Sequence, residues 1–400
     1  GDDAAYDAIF ERHGVIRVYD LPEMIATLQM ATQPRPFGAG GLVAITDSGG
    51  EREHLVDQAS DAGLRFAEIS PTTTAALADR LEYGLDPVNP LDAWGTGHDY
   101  VSIFLDCWRA LMSDPDCAAG AWIADMRDGE EFRGSFVEGA HAIARETGKP
   151  MAFVNCVPGG VVHETVAMLE GTGIRFLDGM GAGMKAMAAM MVWRDHLAPA
   201  SMVVPVAPES AVIEHWRARL GSGAPLDEAE GLALAGDFGI AVPEMAIVED
   251  RAAVLAAADK MGGPVVLKTA EAGIQHKSDV GGVHLGLMGA DAVGQAYDDM
   301  AERLGPRCLV APMAPAGTEM VFGLIQDPQF GPLVLVGTGG IFVEVLKDSL
   351  LAVPPFDIAF ARSLIDRLKG RALLDGVRGR PAADIDALAD MLARFSVLAA

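Results

Sequence analysis

Apolar runs and amphipathic stretches alternate through the first half of the chain. The run GLVAIT at 41–46 is apolar up to its closing threonine, the pattern of a strand covered on both faces. DSGG and the helical pattern EREHLVDQASDAG, closing on Gly63, follow it. The same cycle predicts strands in LRFAEI, AAGAWIADM, KPMAFVNC and GIRFLDG. It predicts helices in TTTAALADRLE and in the stretches running through His141, Leu169 and Trp193. Repeated βα units with Gly or Pro punctuation predict a parallel sheet with helices on both faces, a flavodoxin-like or Rossmann-like domain.

A Pro-, Ala- and Ser-rich stretch, APASMVVPVAPES, interrupts this rhythm, and GSGAPLDEAEGLALAGDFGIAVPE restarts it. A domain over 1–205, a linker over 206–223 and a second domain over 224–400 are expected. The second half reads as MAIV, a helix from Asp250 to Lys260, PVVLKT, GGVHLGL, a helix to Leu304, CLVAPMA, TEMVFGLI, PLVLVG and IFVEVL. Strands in hairpin-like succession with fewer helices predict an α+β arrangement with mixed or antiparallel sheet.

Composition narrows the partners. The chain has 400 residues, half of them apolar, and a formal charge of −26, which argues against nonspecific binding to nucleic acid or anionic membrane. No apolar run reaches the roughly 18 residues of a membrane helix. Cys107, Cys117, Cys156 and Cys308 have no CxxC spacing, so neither a structural zinc site nor a disulfide framework is indicated, and reduced cytoplasmic thiols are expected. The chain lacks an initiator Met and ends inside the helical pattern ADIDALADMLARFSVLAA; a segment of a longer protein is expected.

Ligands of parallel sheets bind at the carboxyl ends of strands, which here carry TDSGG, NPLDAWG, DMRDG and NCVPGG. In the first of these, Ser48, Gly49 and Gly50 precede a helix, where free N–H groups and the helix dipole favour an anion; the plainer alternative is tight-turn geometry. DGMGAGMKAM has the wrong spacing for a dinucleotide loop and RETGKP lacks the Ser or Thr of a P-loop, so both are read as turns. His54, His98, His141, His163, His196 and His215 show no metal-ligand spacing. In the second half, Lys268 ends a buried strand and needs a counter-anion, a phosphate or an acidic side chain. His276 follows on a polar loop, and Gly281 and Gly282 let backbone N–H groups approach phosphate oxygens. Cation, histidine and glycines together suit phosphoryl transfer; the alternative is a loop histidine beside a solvated lysine.

At this point the residues carry a resemblance. VVLKTAEAGIQHKSDVGGVHLGL, LVAPMAPAGTEMVFGLIQDPQFGPLVLVGTGGIFVEVLKD and LLDGVRGRPAADIDALADML resemble the ATP-grasp part of the NDP-forming acyl-CoA synthetases, relatives of succinyl-CoA synthetase. ITDSGG and NPLDAWG are similar to that family's flavodoxin-like ligase domain. The resemblance implies an α/β flavodoxin-like CoA-ligase domain followed by an α+β ATP-grasp domain, C-terminally incomplete. It implies the reaction acid + CoA + ATP ⇌ acyl-CoA + ADP + phosphate, through an acyl phosphate and a phosphohistidine, with ATP, Mg2+ and coenzyme A. Lys268 would then hold ATP phosphates, Val310, Ala311 and Pro312 would form the hinge beside adenine, and Glu319 would assist the ribose or phosphate end. His276 matches a histidine that relays phosphate in some members, and Gly339, Gly340 and Glu344 fall in the GGIFVEVLKD signature. The principal phosphohistidine, the CoA-binding domain and a terminal magnesium-holding motif are expected outside this chain. KDSLLAVPP lacks the family's usual arginine, and DGMGAG replaces a Pro-rich turn. A cytoplasmic homo-oligomer acting on a small carboxylic acid is expected, with no nucleic-acid or membrane partner; the identity of the acid and any metal ligands stay open. The alternatives are a CoA-dependent lyase, a noncatalytic regulatory module and a carboxylate–amine ligase.

Overall fold

The computed structural model of the chain describes residues 2–129, 132–198, 202–271, 273–274, 276–339, 348–376 and 381–400. Two compact units emerge: His13–Pro199, and Gly1–Arg12 together with Ala200–Ala400. This differs from the expected partition at the N-terminus. Helix α1 (Asp3–His13) places Ala5 and Ala8 against Leu333, and Tyr6 meets Phe330 edge-on at 5.0 Å. Burying that apolar face joins the first twelve residues to the unit that is distant in sequence. The expected linker is mostly helix, as Ser210–Gly221.

In the unit His13–Pro199 the chain runs α2 (Leu21–Ala31), β1 (Gly41–Thr46), α3 (Gly49–Asp61), α4 (Pro71–Arg80), β2 (Leu91–Asp92) and α5 (Tyr100–Ser113). It continues as β3 (Cys117–Ile123), α6 (Arg133–Thr147), β4 (Met151–Asn155), α7 (His163–Leu169), β5 (Arg175–Asp178) and α8 (Met180–Leu197). The five strands form one parallel sheet in the order β2-β1-β3-β4-β5. Alternation along β1 sends Val43 and Ile45 to one face, with Trp108, Trp122, Phe136 and Phe153. Leu42 and Ala44 face the other way, onto Met180, Met184 and Met187.

Two expectations fail here. LRFAEI makes only an isolated bridge, Leu42 to Phe66. The Asn89 amide ends that ladder by accepting from Ala44 N at 2.9 Å and donating to the carbonyls of Leu42 and Ala67, after which β2 takes over the edge. DGMGAGMKAM is not a turn either, because α8 begins at Met180 and Gly183 packs where an added Cβ would lie 3.1 Å from Val154.

The second unit contains α9 (Ser210–Gly221), α10 (Glu228–Asp237), β6 (Ala246–Val248), α11 (Arg251–Met261), β7 (Val265–Thr269), β8 (Val283–Leu287), α12 (Gly289–Leu304), β9 (Cys308–Pro312), β10 (Met320–Asp327), β11 (Gly331–Thr338) and β12 (Ser349–Ala352). An antiparallel sheet of order β6-β9-β7-β8 and a second of order β10-β11-β12 result. On the first, Val265, Leu267 and Val310 pack against Val254, Val293 and Met300 from α11 and α12. On the second, Val334 and Val336 pack with Leu364 and Leu392 from the helices Ile358–Asp366 and Ile385–Ala399. The expected strand IFVEVL lies at 341–346, outside the described residues.

Candidate functional site

Lys268 is the fourth residue of β7, and its side chain keeps about a third of its surface exposed. Its Nζ donates to Glu228 Oε1 at 2.6 Å. The other oxygen of the same carboxylate accepts from Lys277 Nζ at 2.5 Å. Burial disfavours ionisation of Glu228, yet the two ammoniums outweigh it and hold the carboxyl below its ordinary value. The counter-anion that the sequence required is therefore an acidic side chain 40 residues upstream.

Glu228 is held in place by the start of α10. Asp227 caps the helix, accepting from Glu230 N at 2.8 Å, while Glu230 reaches back to Asp227 N at 3.0 Å. Arg307, just before β9, donates from its guanidinium to Asp227 at 2.8 Å and to the Ala270 carbonyl at 2.5 Å; its carbonyl accepts from Ala270 N at 2.9 Å, and its N–H donates to the Glu271 carboxylate at 2.8 Å. One network thus fixes the root of the β7–β8 loop and the helix that carries Glu228.

His276 is exposed on that loop beside Lys277, and its carbonyl accepts from Asp279 N at 3.2 Å. The glycine N–H groups are engaged within the loop: Gly281 donates to Ser278 O at 3.1 Å and Gly282 to Lys277 O at 2.7 Å. Gly281 has a φ of +65°, and a Cβ on Gly282 would meet Thr269 at 2.6 Å. Their visible task is to shape the loop that presents His276 and Lys277.

Val310 is paired on both sides, with Ala246 and with Leu267, and its side chain is fully buried. The ladder to β6 stops there, so of the three hinge candidates only Ala311 and Pro312 lie past the end of the neighbouring strand. Glu319 is exposed, and its carbonyl accepts from Gly339 N at 2.7 Å; a Cβ on Gly339 would come within 2.8 Å of the Glu319 backbone. Gly340 and Glu344 lie outside the described residues. Sequence reasoning passed over Asp348 in the same signature. It is buried, and it accepts from Thr338 Oγ1 at 2.8 Å, Lys369 N at 2.8 Å and Gly370 N at 2.7 Å.

In the unit His13–Pro199, Ser48 caps α3 and accepts from Glu51 N at 3.3 Å. Gly49 and Gly50 are the exposed first residues of the helix, and their N–H groups are first-turn donors that the helix itself cannot use. Carboxylates surround this terminus. Burial, then the hydrogen bond and charge of Glu51, push Asp47 up to about 7. Asp92 Oδ2 stands 3.5 Å from where a Gly49 Cβ would lie. The Cys156 thiol donates to Glu51 at 2.9 Å, and burial and that carboxylate push it up. The first-turn N–H groups of Gly49 and Gly50 thus stand at the start of a helix preceded by an Asp47 carboxyl that retains part of a proton near neutrality.

Among the described residues no group of three or more His, Cys, Asp or Glu side chains could hold a metal ion. Among the described residues no helix is long and apolar enough to cross a membrane, and all four cysteines are free.

Comparison with known proteins adds to this geometry. A family profile described as an ATP-grasp domain matches residues 218–400. The chain is 29% identical over 419 residues to the ADP-forming acetate–CoA ligase I of Archaeoglobus fulgidus, covering 100% of this chain and 58% of that protein. It is 30% identical over 415 residues to a trans-feruloyl-CoA synthase of an unknown prokaryotic organism, covering 99% and 56%. It is 34% identical over 202 residues to the beta subunit of the ADP-forming acetate–CoA ligase I of Pyrococcus furiosus, covering 48% of this chain and 86% of that subunit. The chain thus spans less than two thirds of the two longer relatives.

Proposed function

Since the chain belongs to the ADP-forming acetate–CoA ligase family, we propose that the full-length protein is an acid–CoA ligase that couples ATP cleavage to thioester formation: acid + CoA + ATP ⇌ acyl-CoA + ADP + phosphate. The observation that carries this reading is the Lys268–Glu228–Lys277 cluster beside the exposed His276. Phosphoryl transfer depends mainly on positioning and charge neutralisation, and this loop offers cations next to a nitrogen nucleophile.

In the proposed sequence a histidine nitrogen attacks the γ-phosphorus. An N–P bond forms as the P–O bond to the β-phosphate breaks, and ADP leaves. A carboxylate oxygen of the acid then takes the phosphoryl group, giving an acyl phosphate and restoring the histidine. The CoA thiolate attacks the acyl carbon and phosphate departs. Lys268 holds nucleotide phosphate, and His276 relays the phosphoryl group. Ala311 and Pro312 flank the base, and Glu319 lies towards the sugar or phosphates. The N–H groups of Gly49 and Gly50, on the helix capped by Ser48, receive the phosphoryl anion in the other unit. Magnesium would supply charge neutralisation on the nucleotide.

A cytoplasmic homo-oligomer is part of the reading. The four free cysteines support the location. The test is ADP release by the full-length protein across a panel of small acids. Release that requires both CoA and one acid class supports the reading, and release indifferent to CoA contradicts it.

A further inference from the structure

We infer that Lys277 is a second phosphate-binding cation of the nucleotide site and that Glu228 is the positioning residue that sets the spacing of the two ammoniums; this rests on the ligase reading above only for the identity of the nucleotide as ATP. Both oxygens of one carboxylate are occupied, by Lys268 at 2.6 Å and Lys277 at 2.5 Å, so the strand-end cation and the loop cation converge on one glutamate that is distant in sequence. The cluster of two ammoniums and one carboxylate keeps an excess positive charge. Such an excess is scarce in a chain with 30 basic and 56 acidic residues. An ammonium has three donors, so the Glu228 bonds leave both lysines further donors for an anion.

The lysines are also partly withdrawn from water, at 33% and 20% side-chain exposure, where an anion is felt more strongly than at an open surface. Glu228 cannot drift, because the reciprocal cap between Asp227 and Glu230 and the Arg307–Asp227 pair at 2.8 Å fix its helix terminus to the start of β9. Lys277 directly follows His276. A phosphate held by Lys277 therefore sits at the loop position that carries the nucleophile. A clamp that merely tied α10 to the loop would need only one lysine.

The test is calorimetric titration of the full-length protein and its variants with Mg-ATP, supplied as its non-hydrolysable β,γ-methylene analogue so that no phosphoryl group is transferred, and, separately, adenosine. Lys277→Ala is expected to weaken Mg-ATP binding by about tenfold or more, the loss of one charged hydrogen bond, and to leave adenosine affinity unchanged. Lys277→Arg should recover part of the loss. Glu228→Gln should weaken Mg-ATP binding, and its effect should shrink when Lys277 is already Ala, since it acts through that lysine. Thermal melts confirm that each variant is folded. Unchanged Mg-ATP affinity in folded Lys277→Ala, or equal losses for Mg-ATP and adenosine, would overturn the assignment. Because these titrations contain no acid or CoA, they stand apart from the ligase assay, and either can fail alone.

Discussion

The Asp47 carboxyl, just ahead of α3, neighbours that of Glu51 in the helix's first turn, and burial followed by this neighbour pushes Asp47 up to about 7. That proximity makes the end of the parallel sheet where an anion would enter sensitive to protons. Burial and a neighbouring carboxyl both disfavour ionisation, so Asp47 keeps its proton well above the usual carboxylate range.

A pH-dependent stability follows from Asp47. Its folded value is about 7 against an unfolded value of 3.8, so the native state binds the extra proton between those limits. The contribution of this group to stability is intact below about 4, falls as pH rises towards about 7, and is flat above. Asp47→Asn removes the ionisation. The melting temperature of the variant relative to the parent should rise between about pH 4 and pH 8, and a difference independent of pH would refute the coupling.

Lys268→Ala should weaken ATP binding by about 1.5–3 kcal/mol, the scale of a charged hydrogen bond. Calorimetry with Mg-ATP reads this directly, and unchanged affinity would remove Lys268 from the nucleotide site.

Gly49→Val directs branched carbons towards Asp92, whose Oδ2 lies 3.5 Å from where the new Cβ would stand, and narrows access to the first-turn N–H groups. Exchange of labelled phosphate into acyl phosphate by the full-length protein should slow while ATP binding persists. If exchange is unaffected, the loop is a turn and nothing more.

Asp348 gathers Thr338, Lys369 and Gly370 around one buried carboxylate. Burial opposes its ionisation, but the backbone N–H groups of Gly370 and Lys369 outweigh this and hold it below its ordinary value. Its stabilisation is present above the unfolded carboxylate range and is lost as pH falls through the folded value. Asp348→Ala leaves these donors unmatched and should cost about 3 kcal/mol or more in urea unfolding near neutral pH, with a smaller cost in acid.

Periodicity makes β1, β3 and β4 legible because each is a short apolar run covered on both faces. It misreads LRFAEI, since the interruption comes from the side chain of Asn89, which is distant in sequence and carries no local signal. It misreads DGMGAG because glycines at a helix start look like a turn until Gly183 is seen against Val154. Lys268 announces itself as a cation on an apolar strand, and the need for an anion follows. That the anion is Glu228 is not readable: DEAEG shows a helix start, not what its second acid touches. Lys277 is overshadowed by the more conspicuous histidine beside it. Gly281 and Gly282 stand out as the glycines of a phosphate loop would, whereas their N–H groups serve the loop itself.

The most direct measurement is the fate of the nucleotide when the full-length protein turns over ATP, CoA and its acid. ADP and orthophosphate are predicted in equal amounts, each matching the thioester formed, with a transient acid-labile, alkali-stable phosphate on the peptide containing His276. AMP and pyrophosphate as products, or thioester formation with no phosphorylated histidine at any time, would contradict the ligase mechanism.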